Sequence, residues 1–380
     1  MDQAKLQEAE DESSGRADIM RKIHASGLEP HGDLQPWGPE PVLYPRIDRP
    51  RPREIMFASE TFRRHMTNEG WQIQDGLEQA GVGLYGRYLE NNQTDVKAVV
   101  RQTDPDIAYF QEKTQWDPKS EACFDKTIEF HNVPELARCK NCLRVAIYKD
   151  VGTGQEYQRE WHRQLKPHLW AVYYHKGVAN RLAPWMPVDR MVRTYHTLNV
   201  DEVPKFATQD KRAGVFLSGA MSPLVYHLRS RLLESMRQPR FKSRVVHMGH
   251  PGYHAKGWVT PQFLKLLSKF RVSICTSSAY AFSLRKIVES TAAGCVVITD
   301  LPSYDKLPYI DGNLIRVPYN IGIEQLVKIA EEAAETWNYE WQRSFAELAA
   351  RYYDYRVVTR RLAQDVRDMW ATRNWRGAQE

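Results

Sequence analysis

From residue 53 onward, short β-branched and aromatic runs alternate with stretches whose apolar positions recur at helical spacing. The runs that read as strands are Ile55–Ser59, Val82–Tyr88, Ile107–Phe110 with its polar lead-in Asp104-Pro-Asp106, Leu143–Lys149, Leu169–His175 and Met191–His196. Between them the spacing predicts helices over Trp71–Ala80, Asp95–Gln102, Ser120–Phe130 and Gln155–Lys166, the first stopped by Gly81. Val203-Pro-Lys breaks the pattern. It resumes with a strand at Gly214–Gly219, a helix at Leu228–Met236 and a strand in RVVHMG from Arg244. Three more helices close the chain: Ile323–Trp337, Trp341–Tyr353 and an amphipathic Val357–Trp370 carrying Val358, Leu362, Val366 and Trp370.

The stretch Arg271–Val317 holds the clearest local signal. Val272–Cys275 is short, apolar and β-branched, as a buried strand requires. A helix opens at Ser283 with Leu284, Ile287 and Val288 facing inward, Gly294 stops it, and Cys295–Thr299 forms the next strand. Strand, helix and strand joined by short loops build a parallel sheet covered by helices. The fold class is therefore α/β. Residues 1–52 read as an extension with a proline-rich connector, 53–205 as one domain, 206–354 as a second, and 355–372 as a terminal helix.

Composition fits this picture and narrows it. A chain of 380 residues with 42% hydrophobic and 11% aromatic residues supports two packed cores. No apolar run is long enough to span a membrane, and the acidic, polar start MDQAKLQEAEDESSGRAD resembles neither a secretory signal nor a transit peptide, so a cytoplasmic protein is expected. A formal charge of +6 suits an anionic ligand and permits nucleic acid without favouring it. Trp37, Leu43 and Tyr44 pin the extension to the body or cap an oligomer contact.

Five cysteines in such a chain read as free thiols. Cys123, His131, Cys139 and Cys142 together offer zinc ligands, but their spacing matches no standard module, so thiols are preferred and no metal is expected. His247, His250 and His254 likewise lack a supporting carboxylate or cysteine. Asp104-Pro-Asp106 spells a metal-binding Asp-x-Asp, yet it precedes its strand, where turn chemistry suffices.

Candidate chemistry gathers where strands give way to helices. In open α/β sheets ligands bind beyond the C-terminal strand ends, and helix N-termini attract anions. Ser283, Arg285 and Lys286 at a helix start suit a diphosphate, Glu289 one turn on suits a ribose, and Thr276 and Ser278 border the place a base would occupy. The earlier strand ending at Gly219, followed by Tyr226 and Arg229, makes a second anion-accepting edge. His250, Gly252 and Tyr253 form a candidate donor loop.

SLRKIVESTAAGCVVITD resembles the donor-nucleotide segment of group 1, GT-B type glycosyltransferases, nearest the spore-maturation-like branch; GVFLSGAMSPLVYHLRSRLL and HPGY resemble further parts of that donor domain. The resemblance implies two facing Rossmann-like domains with a cleft between them, the terminal helix returning to cover the first. It implies transfer from a nucleotide-diphosphate sugar without a metal cofactor, retention slightly favoured over inversion. Glu289 matches the second of two family glutamates, while the first is replaced by Ala281. Arg285 and Lys286 would stabilise the departing diphosphate, with Asp150 as the acceptor's base ahead of His65 and His175. The alternatives are a glycosyltransferase acting on DNA bases, a sugar-nucleotide epimerase and a non-catalytic nucleotide-binding protein.

Overall fold

The computed structural model describes residues 51–58, 68–86, 93–111, 129–149, 151, 159, 162–203, 213–220, 223, 225–241, 244–249, 260–372 and 375. Among them the chain forms two compact units: residues 51–197 with 354–375, and residues 198–353. Residues 1–50 of the extension, most of the expected helix at 120–130 and half of that at 155–166 lie outside the described residues.

The N-terminal unit is built on six parallel strands. In chain order they and their neighbours are β1 (Glu54–Phe57), α1 (Glu69–Gln79), β2 (Gly83–Tyr85), β3 (Gln93–Asp95), α2 (Val96–Thr103), β4 (Ile107–Gln111), β5 (Glu129–His131), α3 (Pro134–Ala137), β6 (Leu143–Tyr148), β7 (Leu169–Val172), α4 (Lys176–Leu182) and β8 (Met191–Arg193). The sheet runs β2-β1-β4-β6-β7-β8, every pair parallel, with β3 and β5 making a separate small ladder. Residues 129 and 130, expected in a helix, are strand: Phe130 pairs with Thr94, and cross-strand pairing overrides the local helical pattern.

Gly81 ends α1 as its spacing demands. Its φ of +89° is open to glycine, and Val82 N–H reaches back to Leu77 O (3.0 Å) while Gly81 N–H bonds Glu78 O (2.8 Å). The last helix of the chain, Tyr355–Thr372, packs on α1 within this unit. Contact is so close that a Cβ at Gly76 would run into the Thr359 side chain. Arg367 Nε donates to buried Glu54 Oε1 at 2.6 Å and anchors that helix to β1.

The Asp104-Pro-Asp106 segment does structural work. Arg53 Nη2 meets Asp104 at 2.8 Å, and Arg53 N–H donates to Asp106 Oδ2 at 2.9 Å, joining the starts of β1 and β4.

The C-terminal unit repeats the plan with β9 (Ala213–Ser218), α5 (His227–Ser235), β10 (Val245–Met248), α6 (Thr260–Leu267), β11 (Phe270–Ile274), α7 (Arg285–Ala292), β12 (Val296–Thr299), β13 (Leu314–Arg316), α8 (Ile323–Glu335) and α9 (Tyr339–Tyr353), so the terminal helix is α10. The sheet order is β10-β9-β11-β12-β13, all parallel. Both faces are covered, as a parallel sheet requires. Val215, Leu217, Val272, Ile274, Val296 and Ile298 bury against α5 and α8; Phe216, Phe270 and Cys295 bury on the other side with α6 and the end of α7.

Helix α7 begins at Arg285, with Leu284 at the N-cap and no side-chain cap bond, so Ser283 lies one residue outside the helix it was expected to open. Its end follows the sequence: Gly294 has φ +79°, Cys295 N–H bonds Ser290 O and Gly294 N–H bonds Thr291 O, both at 2.9 Å.

Candidate functional site

In the order β10-β9-β11 the chain leaves β9 in one direction and returns on its other side, so the loops after β9 and β11 diverge. That switch point is where open α/β sheets bind ligands. Here it is lined by Gly219 and Ala220 after β9 and by Thr276–Ser278 after β11.

Arg229, in the first turn of α5, is 1% exposed and bridges both loops. Its Nη1 donates to Ala220 O at 2.9 Å and Nη2 to Thr276 O at 3.4 Å, while Nε has no hydrogen-bond partner among the described residues. The Tyr226 ring lies 4.1 Å from the guanidinium carbon, so Tyr226 steadies the cation from one face. Lys286, in the first turn of α7, reaches the same place and donates from Nζ to Ser218 O at 2.9 Å.

Gly219 is required where the two cations meet. Its φ is +112°, and a Cβ there would land on Lys286 Nζ and within 2.8 Å of Arg229 Nη1. The lysine keeps part of its surface exposed, yet its ammonium is crowded enough that burial, reinforced by repulsion from Arg229, holds it down at about 7. His247 on β10 feels both cations. Burial first, then Arg229 and Lys286, pull its imidazole below the ordinary range, and its buried Nε2 has no hydrogen-bond partner among the described residues. Arg229 and Lys286 thus crowd one backbone turn with the His247 imidazole beside them, Lys286 and His247 each held down by burial and then by the neighbouring charge.

The other expected residues fall into two groups. Arg285 Nε pairs with Glu289 Oε1 at 3.2 Å, one turn apart on α7, with both side chains buried. Arg285 is thus engaged by Glu289, while Lys286 donates to Ser218 O at the glycine turn. Thr276 is fully buried with an unpartnered Oγ1 among the described residues, and Ser283 is also buried.

Ser278 opens onto a cavity of about 610 Å³ lined also by His227, Ser277, Asp300, Pro302 and Tyr319. Asp300 accepts the Ser277 N–H, and burial raises its carboxyl above the usual range. The Tyr319 ring is 67% exposed at this rim. Ala281, at the position of the resembled family's first glutamate, has φ +60° and lines the same cavity. Asp150, His65, His250, Gly252, Tyr253 and Cys123 lie outside the described residues, while His175 caps the start of α4 without a side-chain cap bond.

The N-terminal unit holds a polar cluster at its own C-terminal strand edge that sequence reasoning missed. Glu69, wholly buried at the start of α1, takes His196 Nδ1 at 2.8 Å, Thr197 N–H at 3.0 Å and Lys149 Nζ at 2.9 Å. Lys149 follows β6, and His196 and Thr197 follow β8. Tyr173, after β7, sets its ring 5.1 Å from His196. Glu69 and His196 are 127 residues apart in sequence, so only the sheet order brings them together.

Among the described residues no group of histidines, cysteines and carboxylates is arranged to hold a metal ion, and no helix is long and apolar enough to cross a membrane.

No protein-family model matches this chain. Nor does any curated protein sequence. Solved structures that resemble it include proteins described as glycosyltransferases. Sucrose-phosphate synthase from Thermosynechococcus elongatus is 12% identical over 73% of this chain and 76% of its own, with a TM-score of 0.47. HepE from Anabaena, in complex with UDP and glucose, is 12% identical over 83% of this chain and 100% of its own, TM-score 0.48. A glycosyltransferase from Rickettsia africae is 11% identical over 79% of this chain and 88% of its own, TM-score 0.45.

Proposed function

We propose that the chain is a glycosyltransferase whose C-terminal unit holds a nucleoside-diphosphate sugar. The observation that carries this reading is the convergence of Arg229 and Lys286 on Gly219 at the sheet's switch point. A diphosphate is the ligand whose charge offsets their repulsion and whose oxygens accept from both. The glycine admits close backbone approach, and the α5 and α7 N-termini add partial positive charge.

The chemistry follows from where charge develops. As the bond between the sugar's anomeric carbon and the diphosphate breaks, negative charge grows on the departing oxygen, and fixed cations stabilise that state more than the ground state. Arg229 and Lys286 supply this without a metal ion in the reading proposed. The Arg285–Glu289 pair offers its carboxylate to sugar or ribose hydroxyls. The cavity lined by Ser277, Ser278, Asp300 and Tyr319 takes the base, with the tyrosine ring as a stacking surface. Acceptor binding is assigned to the N-terminal unit, and a retaining reaction needs no acceptor base from it.

Incubation with a panel of nucleotide sugars, followed by product analysis, tests this. Slow release of nucleoside diphosphate with free sugar, accelerated by a suitable acceptor, is the expected result. An isomerised donor, or tight binding with no turnover under any acceptor, overturns it.

A further inference from the structure

The sequence motif that the proposed function leaves unused is Cys139-Lys140-Asn141-Cys142, between α3 and β6. Its four residues form a turn closed by Cys142 N–H donating to Cys139 O at 3.3 Å. A turn of this kind holds its first and last Cα atoms within about 7 Å, and a disulfide needs about 4.4–6.8 Å, so the backbone already meets the requirement. The two sulfurs are also unequal: Cys139 is half-buried at the surface and Cys142 is wholly buried.

We propose that Cys139 and Cys142 are a peroxide-oxidisable dithiol, Cys139 the attacking thiolate and Cys142 the resolving thiol. Three features of the site support the assignment. The neighbouring Cys142 thiol first, then the Asn141 N–H and the Arg144 guanidinium, hold Cys139 down at about 7, whereas Cys142, whose Sγ donates to Leu143 O at 3.8 Å, is pushed up by Cys139 and by burial. Arg144 is 1% exposed and fixed by bonds from Nη1 to Cys139 O at 3.2 Å and from Nε to Lys166 O at 2.8 Å, so its charge stays beside the turn. Cys275 and Cys295 are buried inside the other unit, Cys275 raised by burial, and serve as internal controls.

The steps balance. The Cys139 sulfur attacks one oxygen of hydrogen peroxide, the O–O bond breaks, and the departing hydroxide takes the proton lost by the Cys139 thiol. This leaves a sulfenic acid and one water. The Cys142 sulfur then attacks the Cys139 sulfur, the S–O bond breaks, and the hydroxyl leaves with the Cys142 proton as a second water. Two thiols lose two electrons and the peroxide gains them.

The test is treatment of the full chain with hydrogen peroxide, acid quench, alkylation after unfolding, and peptide mapping by mass spectrometry. The expected product is a disulfide joining Cys139 to Cys142, formed while Cys275 and Cys295 remain fully alkylated. In the untreated chain Cys139 should alkylate first, its rate rising with pH around a midpoint near 7. Cys142→Ser, which removes the resolving sulfur, should let a sulfenic-acid trap label Cys139. Oxidation of Cys275 or Cys295 ahead of this pair, a Cys139 disulfide to Cys123 or to a second chain, or thiols that stay reduced would each overturn the assignment.

Discussion

Lys286 and Arg229 approach one backbone turn from two elements, Lys286 Nζ donating to Ser218 O and Arg229 Nη1 to Ala220 O, each at 2.9 Å, with Gly219 between the two acceptors. Neither contact neutralises its cation, because a carbonyl offers a dipole and no charge. The fold thus keeps two positive groups close together at a cost to its own stability, a pattern typical of sites built for a charged ligand.

Replacing Lys286 separates stability from binding. Lys286→Met should weaken nucleoside-diphosphate binding by roughly ten- to a hundredfold, the range of one charge-assisted hydrogen bond. The same change removes a crowded charge, so the melting temperature of the ligand-free protein should stay level or rise. Calorimetric titration and thermal unfolding on one preparation check both halves; equal losses in both would make Lys286 a structural residue only.

Protonation of Lys286 sets a pH dependence. Its ammonium is held at about 7, chiefly by burial and then by Arg229, with Cys275 and Glu289 partly offsetting them. A bound diphosphate raises that value, so binding takes up a proton above pH 7. Affinity should fall between pH 7 and 9, by up to about tenfold per unit, and the binding enthalpy at pH 8 should depend on the buffer's ionisation enthalpy. In the unfolded chain the lysine stays protonated to about pH 10.4, so the ligand-free protein gains stability from this group as pH rises above 7. A flat affinity profile in wild type, or one that Lys286→Met leaves unchanged, speaks against this role.

At Gly219 the positive-φ backbone resists substitution, and an added Cβ would displace the two cations. Alanine would add left-handed strain of about 1–3 kcal/mol and place a methyl group on Lys286 Nζ. Gly219→Ala should lose measurable diphosphate binding and lower the melting temperature, whereas Gly214→Ala, with open space around its added Cβ, should change neither. Binding retained in Gly219→Ala would mean that the turn is not the anion's cradle.

Glu69 makes a separate prediction about the N-terminal unit. Glu69→Ala strands His196, the Thr197 N–H and Lys149 together, and removing one partner of a buried ionic cluster costs about 3–5 kcal/mol. Lys149→Met should cost less, because the lysine side chain is 27% exposed while the glutamate is fully buried. Urea unfolding that ranks the two variants the other way round would show that Glu69 is not the hub.

The sequence disclosed what local physics decides. Gly81 and Gly294 were legible as helix stops because a left-handed residue after an apolar helix has few other uses, and both close the same two-bond motif. In Arg271–Val317, β11 and β12 were legible from their β-branched runs, whereas the short β13 was not. What stayed hidden depends on side-chain direction and long-range pairing. Arg285 and Lys286 are adjacent, yet one folds back onto Glu289 and the other crosses to Ser218, a divergence set by packing rather than by residue type. His247 read as one histidine of several; its position beside β9 aligns it with the two cations. Glu69 gave no signal because its partners come from the ends of two distant strands.

The most direct measurement is calorimetric titration of a nucleoside-diphosphate panel into wild type and Lys286→Met at pH 7. The account predicts saturable, one-to-one binding of at least one member to wild type and a loss of ten- to a hundredfold in the variant. Identical affinities in the two proteins, or no binding by wild type to any member, would contradict it.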